Sequence, residues 1–157
     1  MAADGTFTLT NASYAMGASS VGGSWTGSGT KVYVDATSAS LPAGVLEELL
    51  PDGEPVTVSG GKWKFAKAAK VGIDKKTGEV VADTSKGSNV SGLKLTYTPK
   101  TGFFKGSFNA YALDTVGGKK KLKKYTVNVS GVVVDGVGHG QATCKKPASG
   151  PWPVAVR

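Results

Sequence analysis

Glycine and proline punctuate this chain so closely that long helices have no room to form. With 23 Gly and 7 Pro among 157 residues, a turn-prone residue falls about every five positions. Between the breaks, apolar and polar residues alternate with the period of half-buried strands. Val32 and Val34 oppose Lys31, Tyr33 and Asp35; Trp63 and Phe65 oppose Lys62 and Lys64; Leu93, Leu95 and Tyr97 oppose Lys94, Thr96 and Thr98. The longest such stretch is Phe103–Leu113. It sets Phe104, Gly106, Phe108 and Ala110 on one face and Phe103, Lys105, Ser107, Asn109 and Tyr111 on the other. Tyr125, Val127 and Val129 then alternate with Lys124, Thr126 and Asn128, and Val132–Val134, Gly138–Cys144 and Val154–Arg157 complete the series.

The breaks themselves carry turn chemistry. Asp74-Lys75-Lys76-Thr77-Gly78 and Thr98-Pro99-Lys100-Thr101-Gly102 both set Lys-Thr-Gly between extended segments, Gly117-Gly118 centres another turn, and Asp135-Gly136 is a hairpin signal. One segment reads as helical: over residues 42–50 Pro42 suits a first turn and Pro51-Asp52-Gly53 ends it after about two turns. About ten strands joined in sequence predict an all-β fold. The first expectation is an antiparallel meander closing into a small β-barrel, with a two-sheet β-sandwich as the alternative and one short helix near 42–50. Residues 1–157 read as a single β domain, whose Gly/Ser-rich segment 1–40 contributes early strands at Thr6–Thr10 and Lys31–Asp35. A hydrophobic fraction of 39% against 19% charged residues is too apolar for a disordered polyelectrolyte, and no apolar run suits a membrane span.

The formal charge of +8 is unevenly spread. Residues 1–60 hold Lys31 against six acids, whereas residues 61–157 hold 17 Lys and Arg157 against five. Lysine in place of arginine argues against base or phosphate reading, and strand-face lysines serve solubility and edge protection. An anionic partner remains open, while the nucleic-acid signal is weak. Cys144 is the sole cysteine, which excludes an intrachain disulfide. The first residues show neither a basic nor an apolar leader region, so no signal peptide is expected in this chain.

A resemblance follows from Ser91-Gly92-Leu93-Lys94-Leu95-Thr96-Tyr97, Lys100 to Phe108, Lys121 to Tyr125, and Gly131 to Gly140. In glycine and aromatic spacing these runs resemble a β-rich module at the C-terminal ends of large bacterial surface or exported proteins, over about residues 60–157. The resemblance implies an extracellular or cell-surface setting and carries no activity and no site residues.

Catalytic patterns are sparse. His139 stands five residues before Cys144, an odd separation that puts them on opposite faces of a strand, about 17 Å apart along it. One His and one Cys do not close a zinc site, and no metal or cofactor is expected. Glu47 and Glu48 diverge on a helix, and Asp35, Asp74, Asp83 and Asp135 read as turn or strand-end residues. Gly136-Val137-Gly138-His139-Gly140 lacks the following helix and the Lys-Ser/Thr ending of a phosphate loop, so it reads as sheet-bending scaffold. Aromatic rings give the functional lead. Trp25 in its Gly-Ser loop, Tyr33, Tyr111 and Trp152 are not obviously buried by pattern, and exposed rings beside Asn, Asp and Thr stack on sugars. The expectation is a non-catalytic surface β-domain binding a polymer such as a glycan through these four residues. The alternative is an assembly module docking a Lys-rich face on an anionic surface polymer or partner chain, and a glycan-active hydrolase stands behind both.

Overall fold

From residue 94 to the C-terminus the chain runs as five successive antiparallel strands: β7 (Lys94–Thr98), β8 (Phe103–Val116), β9 (Lys119–Val134), β10 (Val137–Lys145) and β11 (Ala148–Val156). The computed structural model describes residues 31–36, 41–59 and 62–157; the stretch expected at Thr6–Thr10 and the Trp25 loop lie outside them. Before the meander come β1 (Lys31–Val32), β2 (Val34–Ala36), β3 (Glu54–Ser59), β4 (Lys62–Phe65), β5 (Lys70–Ile73) and β6 (Val80–Asp83). β2 adds to β11, which completes a six-stranded sheet ordered β2-β11-β10-β9-β8-β7 and strongly curled into half a barrel. A second sheet is ordered β1-β3-β4, and β5 pairs with β6 alone. The all-β architecture expected from the alternation is thus the one observed.

Local chemistry explains the ladder. The β8–β9 hairpin pairs without interruption from Phe103↔Val132 to Val116↔Lys119, because Gly117 and Gly118 supply two successive positive φ angles of 59° and 73°. Such a two-residue turn matches the twist of the flanking strands. Asp135 and Gly136 do the same between β9 and β10, at φ 51° and 82°. Gly131 on β9 sits opposite Gly140 on β10. A Cβ on Gly131 would lie 2.1 Å from the His139 carbonyl oxygen, and one on Gly140 2.2 Å from that of Ser130. Backbones approach there as only glycine permits. The Gly136–Gly140 run is accordingly a hairpin turn followed by strand, as its composition suggested.

The core lies between the half-barrel and the second sheet. Leu93, Leu95, Phe104, Phe108, Val127, Val129, Trp152, Val154 and Val156 fill it from one side; Val32 and Val56 enter from the other, with Trp63 and Phe65 packed against them. The two rings of β4 meet edge to face at 6.4 Å. A single extended segment serves both sheets, since Lys31 and Val32 pair with β3 while Val34–Ala36 pair with β11. Between them Tyr33 and Arg157 exchange backbone hydrogen bonds of 3.0 and 3.2 Å. On the far side β4 runs beside β7 without a ladder between them.

The helix expected over 42–50 shrinks to one 3-10 turn, Glu47–Leu49. Gly44 takes φ 80°, Val45 bridges Ala112, and the Leu46 N–H donates to the Tyr111 carbonyl at 2.7 Å. The residues that would have opened the helix are therefore used as an extended edge on β8.

Candidate functional site

The alternation that fills the core also builds a second, polar face on the sheet. Strand register aligns Lys94, Ser107, Asn128 and Thr143 in one row across β7, β8, β9 and β10. The next row is Thr96, Lys105, Ser130 and Gln141. These eight side chains line a groove of about 480 Å³ on the side opposite the core. Every one of them can donate or accept hydrogen bonds, and none is acidic. One row further along stand Phe103, Val132 and His139. Phe103 is 38% exposed, so an accessible aromatic ring borders the polar rows.

The fold places the expected binding residues elsewhere. Trp25 lies outside the described residues. Tyr33 is half-buried beneath the Arg157 guanidinium, 4.8 Å from its ring centroid, and Arg157 also donates to Asp35 at 2.8 Å. That guanidinium is held above its ordinary range by the Asp35 carboxylate. Tyr111 and Trp152 are 6% and 2% exposed, which corrects the expectation that they are open platforms. Trp152 shares the core-facing side of β11 with Val154 and Val156 and lies opposite Ala142, whose small side chain leaves room for an indole. Its Nε1–H finds no acceptor among the described residues. Tyr111 is enclosed at the level where Val45 and Leu46 join the edge of β8. Burial raises its phenol above the usual range, with a hydrogen bond from Asn109 acting the other way.

Phe103 was not singled out as a ligand contact by its sequence, although alternation already set it on the polar face with Lys105 and Ser107. The missing signal was register. Only strand pairing shows that Asn128, Ser130, Gln141 and Thr143, distant in sequence, stand beside Lys94 and Lys105.

The titratable groups elsewhere have structural roles. Cys144 is buried on the core side of β10 and His139 stands on the other face, so the strand separates them. Glu54, 5% exposed, accepts from the Ser91 N–H at 3.1 Å and hydroxyl at 2.7 Å, tying the loop before β7 to β3. Buried Asn89 pins the same loop through the Leu93 N–H and carbonyl. Asp74 accepts from the Lys76 and Thr77 N–H groups at 2.7 and 3.0 Å, which lowers its carboxyl below the usual range and closes the β5–β6 turn. No group of three His, Cys, Asp or Glu among the described residues is placed to hold a metal, and no helix among them is long and apolar enough to cross a membrane.

Fold and groove together define a class: an all-β protein whose curled sheet presents an ordered polar face. Comparisons of the chain with family models, curated proteins and solved structures return no match.

Proposed function

We propose that this chain is a non-catalytic β-domain that binds a glycan in the groove across β7–β10, in the extracellular or cell-surface setting that its resemblance implies. The observation that carries the reading is the pair of cross-strand rows, which offer hydroxyl, amide and ammonium groups beside the exposed Phe103 ring. Sugars need this combination, in-plane hydrogen bonding to hydroxyls with an aromatic face for the C–H surface. Among the described residues lining the groove there is no carboxylate, whereas glycoside hydrolysis ordinarily needs two.

A polysaccharide array followed by calorimetry tests the proposal. Phe103→Ala is expected to weaken binding about three- to tenfold, the worth of one stacked ring. The double variant Asn128→Ala/Gln141→Ala is expected to weaken it further while leaving the circular dichroism spectrum unchanged. Absence of binding to every polysaccharide, or binding that ignores all three substitutions, overturns it.

A second reading rests on the hairpin arm. Exposed Lys119, Lys120, Lys121, Lys123 and Lys124 cluster near the β8–β9 turn and would dock on an anionic partner. Two of the five are engaged, Lys123 with Asp114 at 2.5 Å and Lys120 with the Gly78 carbonyl at 3.0 Å. The groove has the richer chemistry.

A further inference from the structure

The charge on the groove face is one-sided. Within strands β7 to β11 the only side-chain carboxylate is Asp114, and it is paired with Lys123 on the other face of the arm. On the groove face the alternation sets Lys94, Lys105, Lys120, Lys124 and Lys145, all exposed, with no acid in the same strands to answer them. Lys94 and Lys105 are the pair that matters. Lys94 stands opposite Ser107 and Lys105 opposite Thr96, so the two lysines are diagonal neighbours on one face. Such positions lie about 7–8 Å apart, within reach of long side chains. Neither makes an ion pair among the described residues.

Two adjacent, unanswered ammonium groups at one side of the groove, with neutral Asn128, Ser130, Gln141 and Thr143 at the other, are complementary to a chain bearing both negative charge and hydroxyls. Lysine is well suited to such a ligand, because a compact point charge on a flexible stem follows a substituent that recurs along a polymer without demanding bidentate geometry. We infer that the groove takes an acidic polysaccharide, with Lys94 and Lys105 holding its anionic substituents and the amide and hydroxyl rows holding its sugar hydroxyls. This rests on the groove being a glycan site and names the class of glycan.

The test compares polygalacturonate, hyaluronan and dextran sulfate with methyl-esterified polygalacturonan and dextran, using the full chain, Lys94→Gln/Lys105→Gln and Lys119→Gln/Lys121→Gln. The expected result is binding confined to acidic polymers, weakened about tenfold or more in Lys94→Gln/Lys105→Gln and little changed in Lys119→Gln/Lys121→Gln. Affinity should fall with added salt, and less steeply in the groove variant. The carboxylated and sulfated probes identify which substituent is preferred. Equal binding of neutral polymers, indifferent to Lys94→Gln/Lys105→Gln, overturns the inference and leaves the glycan site standing. Acidic binding lost only in Lys119→Gln/Lys121→Gln moves the contact to the arm and overturns it as well. No binding of any polymer removes both.

Discussion

Burial makes Tyr111 a proton-linked residue rather than a surface ring. Its phenol titrates above its ordinary value because the charged form would be desolvated. A group that binds its proton more tightly when folded contributes stability that is intact below the unfolded value, about 10, and is lost as pH rises through the folded one. Thermal unfolding between pH 8 and 11 should therefore show a decline that is shallower in Tyr111→Phe. Trp152 is the larger structural contributor of the two. At 2% exposure, opposite Ala142, its replacement by Ala should cost about 3–5 kcal/mol in chemical denaturation. Alternation was sufficient to assign Trp63, Phe65, Phe104 and Phe108 to the core, because each lies in an uninterrupted strand pattern. It was insufficient for Trp152, whose neighbours Pro151 and Pro153 imitate a loop, and for Tyr111, whose strand edge is joined by residues 45 and 46, far away in sequence.

Among the elements, the β9–β10 pair is where two backbones approach closely through facing glycines. Gly131 and Gly140 meet where a methyl group would collide with a backbone carbonyl, so neither can yield by moving a side chain. Gly140→Ala should destabilise by about 1–3 kcal/mol, measurable as a lower denaturation midpoint, with the groove distorted beside Gln141. The hairpin turns were legible as Gly-Gly and Asp-Gly, since positive φ restricts them to few residues. The short helix was not. Its apolar spacing is satisfied equally by an extended edge, and the carbonyl of Tyr111 and backbone of Ala112 offered hydrogen bonds that a two-turn helix would have forgone. The groove itself could not be read from any one strand, because its rows are a property of pairing register.

At the scale of the whole molecule, stability should be graded from the centre of the large sheet outward. β9 is paired on both sides over its second half, Val127–Val134, and faces the core there, whereas β5 and β6 form a two-stranded ladder with Val81 45% exposed. Hydrogen exchange should release Val71–Ile73 and Val80–Ala82 first and the amides of Val127 and Val129 last, since two-stranded ladders open locally at little cost. Protection of the β5–β6 amides equal to that of β9 would contradict this ordering. The outer side of β11 has a different consequence. Among the described residues β2 pairs with β11 at Val154–Val156, and Arg157 directs both backbone groups toward Tyr33, so by alternation Pro153 turns toward the β2 side a nitrogen with no hydrogen to give. A neighbouring chain seeking to extend the sheet there would meet an acceptor without its donor. A proline that resembles a loop residue in sequence is thus a poor template for a further strand, because it removes a donor from the ladder on that side of β11.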